Sequence, residues 1–322
     1  MRIRTLDAKG ADDQLIARII AADDRVDWPT VPWFQSKYFG SPAGESIIAL
    51  AEEDDHIAGI VAFGRIGLQV LGERIEGALS YETFVSPHFR KRGLFLSLLE
   101  HATTEASRRG VRLLFNFPNP ASLPGFLRSG WRQARGLQNW IRPQHPIRTA
   151  LGIARRRDQS QMVPAEASPP QIAPADLGPF EAGPAEAAAI RPDLDRHFLS
   201  WRYGAQWNID YHSVGADSLP MLVRTGTRWG LREVQIMELA RDRPLRRHDL
   251  SAALREIRQR WRPSLIGISL SEAHPASASL RRHGFLRAPT HSNFCYLPLD
   301  DSLAAKTVNT PWHLTNTLVH MN

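Results

Sequence analysis

Val85-Ser86-Pro87-His88-Phe89-Arg90-Lys91-Arg92-Gly93-Leu94-Phe95 carries the deciding pattern: an apolar strand runs into a basic, glycine-containing turn that opens a long amphipathic helix. The strand, Ala78 to Val85, is rich in β-branched and aromatic residues, and Pro87 ends it by removing a ladder donor. Beyond the turn, Leu94, Phe95, Leu98, Leu99, Ala102 and Ala106 recur at helical spacing, and Arg108-Arg109-Gly110 closes the helix by charge and by left-handed backbone chemistry. A second strand, Val111 to Phe115, follows at once. Such a junction aims free N–H groups and the positive end of a helix dipole at one point, which makes it a candidate cradle for phosphate; an ordinary strand-to-helix turn is the competing reading of the turn alone.

This order resembles the acetyl-CoA-binding core of the GNAT acyltransferases. Their Arg/Gln-x-x-Gly-x-Gly/Ala pattern is met by Arg90 and Gly93 and departed from at Phe95. Asn116 to Ser122 and then Phe126-Leu127-Arg128-Ser129-Gly130-Trp131 are similar to that family's Asn-containing loop, short helix and closing Gly-aromatic step. The resemblance implies an α/β fold in which a mixed central sheet is flanked by helices, with acetyl-CoA or another acyl-CoA as cofactor. Arg90, Lys91, Arg92, Gly93, Leu94 and Phe95 would hold its phosphates, and Val85 and Asn119 its pantetheine arm. For Asn119 between two prolines, turn formation is the competing reading.

Acyl transfer to an amine needs a base, a polarised carbonyl and a proton for the departing sulfur. Many GNAT enzymes carry a tyrosine acid where this chain has Phe126, and phenylalanine has no proton to give. Tyr81 is the alternative acid, and Glu82 is the candidate base, acting through water, or else the partner of a nearby cation. Strict strand alternation places Tyr81 and Glu82 on opposite faces.

The chain reads as two halves on one plan. Trp33-Phe34-Gln35-Ser36-Lys37-Tyr38 precedes the strand pair Ser46–Ala51 and Ile57–Phe63, and Phe198-Leu199-Ser200-Trp201-Arg202-Tyr203 precedes Tyr211–Val214 and Met221–Arg224. Each half ends in helix, strand, short helix and a Gly-aromatic step, the second being Gly284-Phe285. The second cradle, Arg241 to Arg247, has no glycine, so the first half is expected to hold the cofactor alone. The expected domains are 1–142, a linker 143–184, a degenerate GNAT-like domain 185–300 and a tail 301–322. Lys37, Tyr38, Trp201, Arg202 and Tyr203, with Trp28 and Trp33, are candidate acceptor-site groups; helix packing is the competing reading of these aromatics. Within the linker, Ile147 to Arg157 reads as a short basic amphipathic helix, packed on its own protein or touching a membrane surface.

The 322 residues, 43% of them hydrophobic, suffice for two cores. A formal charge of +7 lies almost entirely on arginine, but no arginine run is interleaved with aromatics, so nucleic acid is not an expected partner. A single cysteine, Cys295 in Asn293-Phe294-Cys295-Tyr296-Leu297, excludes an internal disulfide and reads as a buried strand thiol. The first residues lack a signal-peptide core, no apolar run reaches a membrane span, and no histidine pair has metal-ligand spacing, so a cytoplasmic chain without a metal is expected. The reading these features favour is a tandem GNAT-like N-acyltransferase acting on a small amine, with an amino sugar of polysaccharide or cell-envelope assembly as first acceptor. The rivals are a non-catalytic CoA- or partner-binding protein and a Fem-like aminoacyl transferase. Oligomeric state is not legible.

Overall fold

The computed structural model describes residues 1–23, 30–155, 163–164, 189–204, 209, 211–215, 219–239 and 247–319. Trp28, most of the linker and residues 241–246 of the second cradle lie outside them. The chain forms two compact units. The first holds Met1–Arg135 and Asn293–Thr310, the second Gly136–Ser292 and Pro311–His320.

The first unit begins with β1 (Arg2–Leu6), α1 (Asp13–Ala22) and α2 (Val31–Phe39), followed by a meander of β2 (Ile47–Glu53), β3 (His56–Val70) and β4 (Glu73–Val85). Side-chain caps fix both helix starts: Asp12 accepts from the Leu15 amide at 2.7 Å and Thr30 from the Trp33 amide at 3.3 Å. The acidic turn joins β2 and β3 through Asp54 and Asp55, both left-handed, as a tight hairpin requires. A 3₁₀ turn, Pro87–Phe89, then leads to α3 (Leu94–Arg108), β5 (Leu113–Asn116) and α4 (Leu123–Arg128). β1 with β2, β2 with β3 and β3 with β4 pair antiparallel, whereas β4 and β5, which α3 joins as a crossover, pair parallel. Leu94, Leu98, Leu99, Ala102 and Ala106 of α3 face the core. Leu98 and Leu99 are fully buried, each contributing about 1.5–3 kcal/mol.

Then come β6 (Arg132–Pro143), α5 (Pro146–Arg155), β7 (Val163–Pro164), β8 (Ile190–Pro192), α6 (Arg196–Arg202) and β9 (Tyr211–Val214). The second unit continues with β10 (Met221–Arg228), β11 (Leu231–Leu239), α7 (Arg247–Trp261), β12 (Leu265–Ser271) and α8 (Ser277–Arg282). The chain ends with β13 (Leu286–Pro298), α9 (Asp301–Lys306) and α10 (Asn316–Val319). The local plan of the first unit recurs: β10 and β11 are antiparallel, β11 and β12 parallel, and α7 between them buries Leu250, Ala253, Leu254 and Ile257.

The units depart from the contiguous division that sequence order suggests, because their closing strands are exchanged. Leu137–Pro143 of β6 pairs with β12 of the second unit, and Cys295–Pro298 of β13 pairs with β5 of the first. Both strands follow a Gly-aromatic step, so nothing local distinguishes a strand's own sheet from its counterpart. Nor is 301–322 a free tail: α9 belongs to the first unit and Pro311–His320 to the second. Cys295 is a buried strand thiol, and burial pushes its pKa up to about 12. No helix among the described residues is long and apolar enough to cross a membrane.

Candidate active site

Glu82 sits at a break in the β3–β4 ladder. Val61 pairs with Thr83 and Phe63 with Ser80, so Tyr81 and Glu82 together oppose Ala62 as a bulge. The extra residue cancels the alternation that puts Tyr81 and Glu82 on opposite faces, and both meet α2. Glu82 accepts from the Lys37 ammonium and, at 2.7 Å, from the Tyr38 hydroxyl. The Tyr81 ring lies 6.2 Å from that of Tyr38 and 5.3 Å from Lys37 Nζ, with Trp33 on the ammonium at 4.6 Å. Gly64 makes room for it, since a Cβ there would stand 2.0 Å from the Tyr81 ring. Lys37 and Tyr38 have no exposed surface; their polar ends both donate to Glu82. Burial, and next the Glu82 charge, raise the Tyr38 phenol well above its ordinary pKa, so it stays a donor.

Past the bulge the sheet opens. The parallel ladder joins Gly77–Leu79 to Leu113–Phe115 and stops, while β4 runs on to Val85. Glu82, Thr83 and Val85, on the stretch that pairs with β3 but lies beyond the β5 ladder, keep partial exposure. At its end Arg90 turns back and donates through Nε to the Val85 carbonyl at 2.9 Å. Lys91 and Gly93 are both left-handed, with φ of 64° and 76°, a backbone form that turns consecutive amides toward one concavity. Gly93 is the N-cap of α3 and no side chain caps that helix; Leu96 and Ser97 are bonded to the Gly93 carbonyl. The amides ahead of them and four exposed residues, Arg90 to Gly93, form the mouth. A Cβ on Gly93 would meet nothing within 4 Å, so its glycine serves the left-handed backbone and not packing.

Phe95 and Phe126 turn from this mouth into the α3–α4 packing, with rings 5.4 Å apart and Trp131 4.9 Å from Phe126. Gly125 admits the Phe95 ring, which a Cβ there would meet at 2.3 Å. Asn119 is exposed and uses its Oδ1 to accept from the Ser122 amide at 2.9 Å, so turn formation accounts for one of its side-chain atoms.

The family model for an acetyltransferase (GNAT) domain matches residues 27–134, the stretch that contains α2, the bulge, the opening and the mouth. Residues 27–134 form a GNAT domain. No curated protein matches the chain. Among solved structures, the chain is similar to a GCN5-related N-acetyltransferase from Anabaena variabilis, at TM-score 0.63 and 12% identity over 96% of this chain and 75% of that one. It is also similar to Eis1 from Mycobacterium abscessus, at 0.60 and 13% over 95% and 75%, and to a GCN5-related N-acetyltransferase from Kribbella flavida, at 0.57 and 11% over 96% and 74%. At these identities the likeness is one of fold, and it runs through both units.

The second GNAT-like unit has the same opening, filled. Its ladder joins Glu233–Ile236 to Leu265–Ile268, and Met237–Leu239 runs on. There the segment Leu314–Thr317 threads in: the Leu314 amide donates to Ser271 Oγ and the Ser271 amide to the Leu314 carbonyl, both at 3.0 Å, while Asn316 Nδ2 donates to the Ile236 carbonyl at 3.0 Å. Thr315 and Thr317 hydroxyls reach Glu238 Oε2 at 2.5 and 2.7 Å. All four inserted residues are buried. Arg202 Nε donates to the Thr317 carbonyl at 3.0 Å, and the Tyr203 and Thr317 hydroxyls bond at 2.8 Å. Arg202, Tyr203 and, largely, Trp201 are therefore interior. Sequence reasoning missed this strap because four polar and apolar residues carry no period, and their partners lie far back in the chain.

Proposed function

We propose that the chain is an N-acyltransferase that moves a short acyl group from acetyl-CoA or another acyl-CoA to an amine, using one cofactor site, in the first unit. The observation that carries this reading is the contrast between the two openings. The first leaves the β5 side of β4 without a ladder past Leu79, beside an uncapped helix start flanked by Arg90, Lys91 and Arg92, the donors a pyrophosphate requires. The second is occupied by the chain itself.

In this reading the Val85 backbone and Asn119 border the pantetheine arm, and the amides from Arg92 to Phe95 bind the phosphates. CoA supplies the thioester, and the chain's residues supply position and proton transfer. Glu82 is the base: Lys37 and Tyr38 engage one position on each oxygen, and a carboxylate retains others for a water or an amine proton. Lys37 and Tyr38 act as positioning residues. Tyr81 is the acid for the departing sulfur. An amino sugar is the first acceptor class to try, on analogy alone, and the compartment that fits is the cytoplasm.

Titration with CoA, together with thiol release measured against amino sugars, polyamines and peptides, tests this. One CoA per chain and thiol release with at least one amine are expected. Gly93→Val, which blocks close approach at the helix start, should weaken CoA at least about tenfold, or about 1.4 kcal/mol. No CoA binding would overturn the reading, and tight binding without turnover on any amine would make the protein a binding module.

A further inference from the structure

Helix α5 turns an apolar stripe to water. Ile147 is 78% exposed and Leu151 49%; with exposed Ala150 and Ala154 they fall at i, i+3, i+4 and i+7, one stripe. The opposite side is the packed one. Thr149 there is buried, and a Cβ on Gly152 would come within 2.9 Å of Leu231 and 3.3 Å of the Trp229 carbonyl. Gly152 thus seats the helix on the β10–β11 turn. Exposed Arg148 and Arg155 flank the apolar stripe.

The neighbouring surface of the same unit is cationic. The Gln144 amide donates to the Ser264 carbonyl at 2.9 Å, which brings the start of α5 beside the end of α7. There Arg255, Arg258 and Arg262, exposed at i, i+3 and i+7, line with Gln259 a shallow cavity of about 490 Å³. Arg142, two residues before Gln144, is held below its ordinary pKa by burial and then by the Arg258 charge, a sign of how closely these cations crowd.

We propose that this end of the second unit docks on an anionic lipid bilayer, with α5 in the plane of the headgroups, Ile147 and Leu151 at the acyl boundary and the arginines against the lipid phosphates. An apolar stripe framed by cations complements a surface that is apolar within and anionic at its rim. A second copy would set arginine against arginine, and a nucleic acid would leave Ile147 and Leu151 in water.

Co-sedimentation of the full chain with phosphatidylcholine vesicles, with and without phosphatidylglycerol, tests the proposal. Binding is expected to the phosphatidylglycerol vesicles only and to weaken with salt. The pair Ile147→Glu and Leu151→Glu should reduce it about tenfold or more, as should Arg255→Glu with Arg258→Glu. Both pairs lie on the surface, so unchanged thermal unfolding and CoA binding exclude a folding defect. Three results would overturn it: no binding to either vesicle, binding indifferent to the apolar pair, or a solution dimer that the apolar pair dissolves.

Discussion

The two openings occupy the same point of two similar sheets and have met opposite fates. In the first unit a cation and tyrosine, Lys37 and Tyr38, reach Glu82 at a bulge directly. In the second, Arg202 and Tyr203 stand toward Glu238, beside another irregularity of the ladder, but Thr317 is interposed and carries the contact. The cation–tyrosine–glutamate set is present in both units, so its presence alone is not a mark of catalysis. A carboxylate buried at the end of a central strand needs such partners wherever it stands. The difference that bears on function is the edge: Glu82, Thr83 and Val85 keep access to solvent, whereas Met237, Glu238 and Leu239 are sealed under the strap.

The largest effect that can break this comparison comes from the carboxylates. Glu82→Gln removes a carboxylate charge paired with the fully buried Lys37 ammonium and should cost about 3–5 kcal/mol in urea unfolding. Glu238→Gln should cost less, about 1–3 kcal/mol, because the Thr315 and Thr317 hydroxyls both donate to Oε2, and an amide oxygen in that place still accepts from them. Pairing Glu82→Gln with Lys37→Met should recover much of the first loss. Equal costs for the two single variants would show that the first cluster is not held by a charge pair. Activity of the double variant then separates stability from chemistry: if Glu82 is the base, turnover stays low after the fold is restored.

The strap itself comes next. Asn316→Leu with Thr317→Val leaves the Ile236 carbonyl, Glu238 and Tyr203 short of partners and should cost about 2–5 kcal/mol together. CoA should still bind once per chain. A second equivalent appearing in this variant would sharpen the comparison in an unexpected way, since the strap rather than the glycine-free cradle would then be what denies the second unit a cofactor.

Much of the first opening was legible in the sequence because its signals are local. Pro87, the Arg90-to-Gly93 turn and the apolar spacing of α3 each act within a few residues, and strand, turn and helix stand where these predict. Repetition of a cation–tyrosine pair was also legible, as were the two Gly-aromatic steps. The bulge was not: Tyr81 and Glu82 alternate as any strand does, and only the count on β3 reveals the extra residue. Strand exchange and the strap were hidden for a related reason. Both are choices of partner between segments far apart in sequence, and neither β6, β13 nor Leu314–Thr317 carries a local preference for one partner over another.

The smallest expected effect concerns the missing tyrosine. Phe126 stands four residues before Gly130, and Leu280 four before Gly284; each carbonyl accepts the amide of the following aromatic, Trp131 at 3.2 Å and Phe285 at 3.1 Å. Both side chains are buried in the helix-side core of their own unit, Phe126 against Phe95 and Trp131, Leu280 beside Phe285. The position is thus a packing position in both units, whether or not the opening above it is free. Phe126→Tyr should therefore bury a hydroxyl among aromatic rings at a cost of about 1–2 kcal/mol, with turnover no faster than in the parent chain. A gain in turnover would mean that the hydroxyl reaches the thiolate after all, and that Tyr81 is not the acid; unchanged turnover with the expected loss of stability leaves the proton to a group on the open edge, where Tyr81 and Glu82 share one face of the bulge.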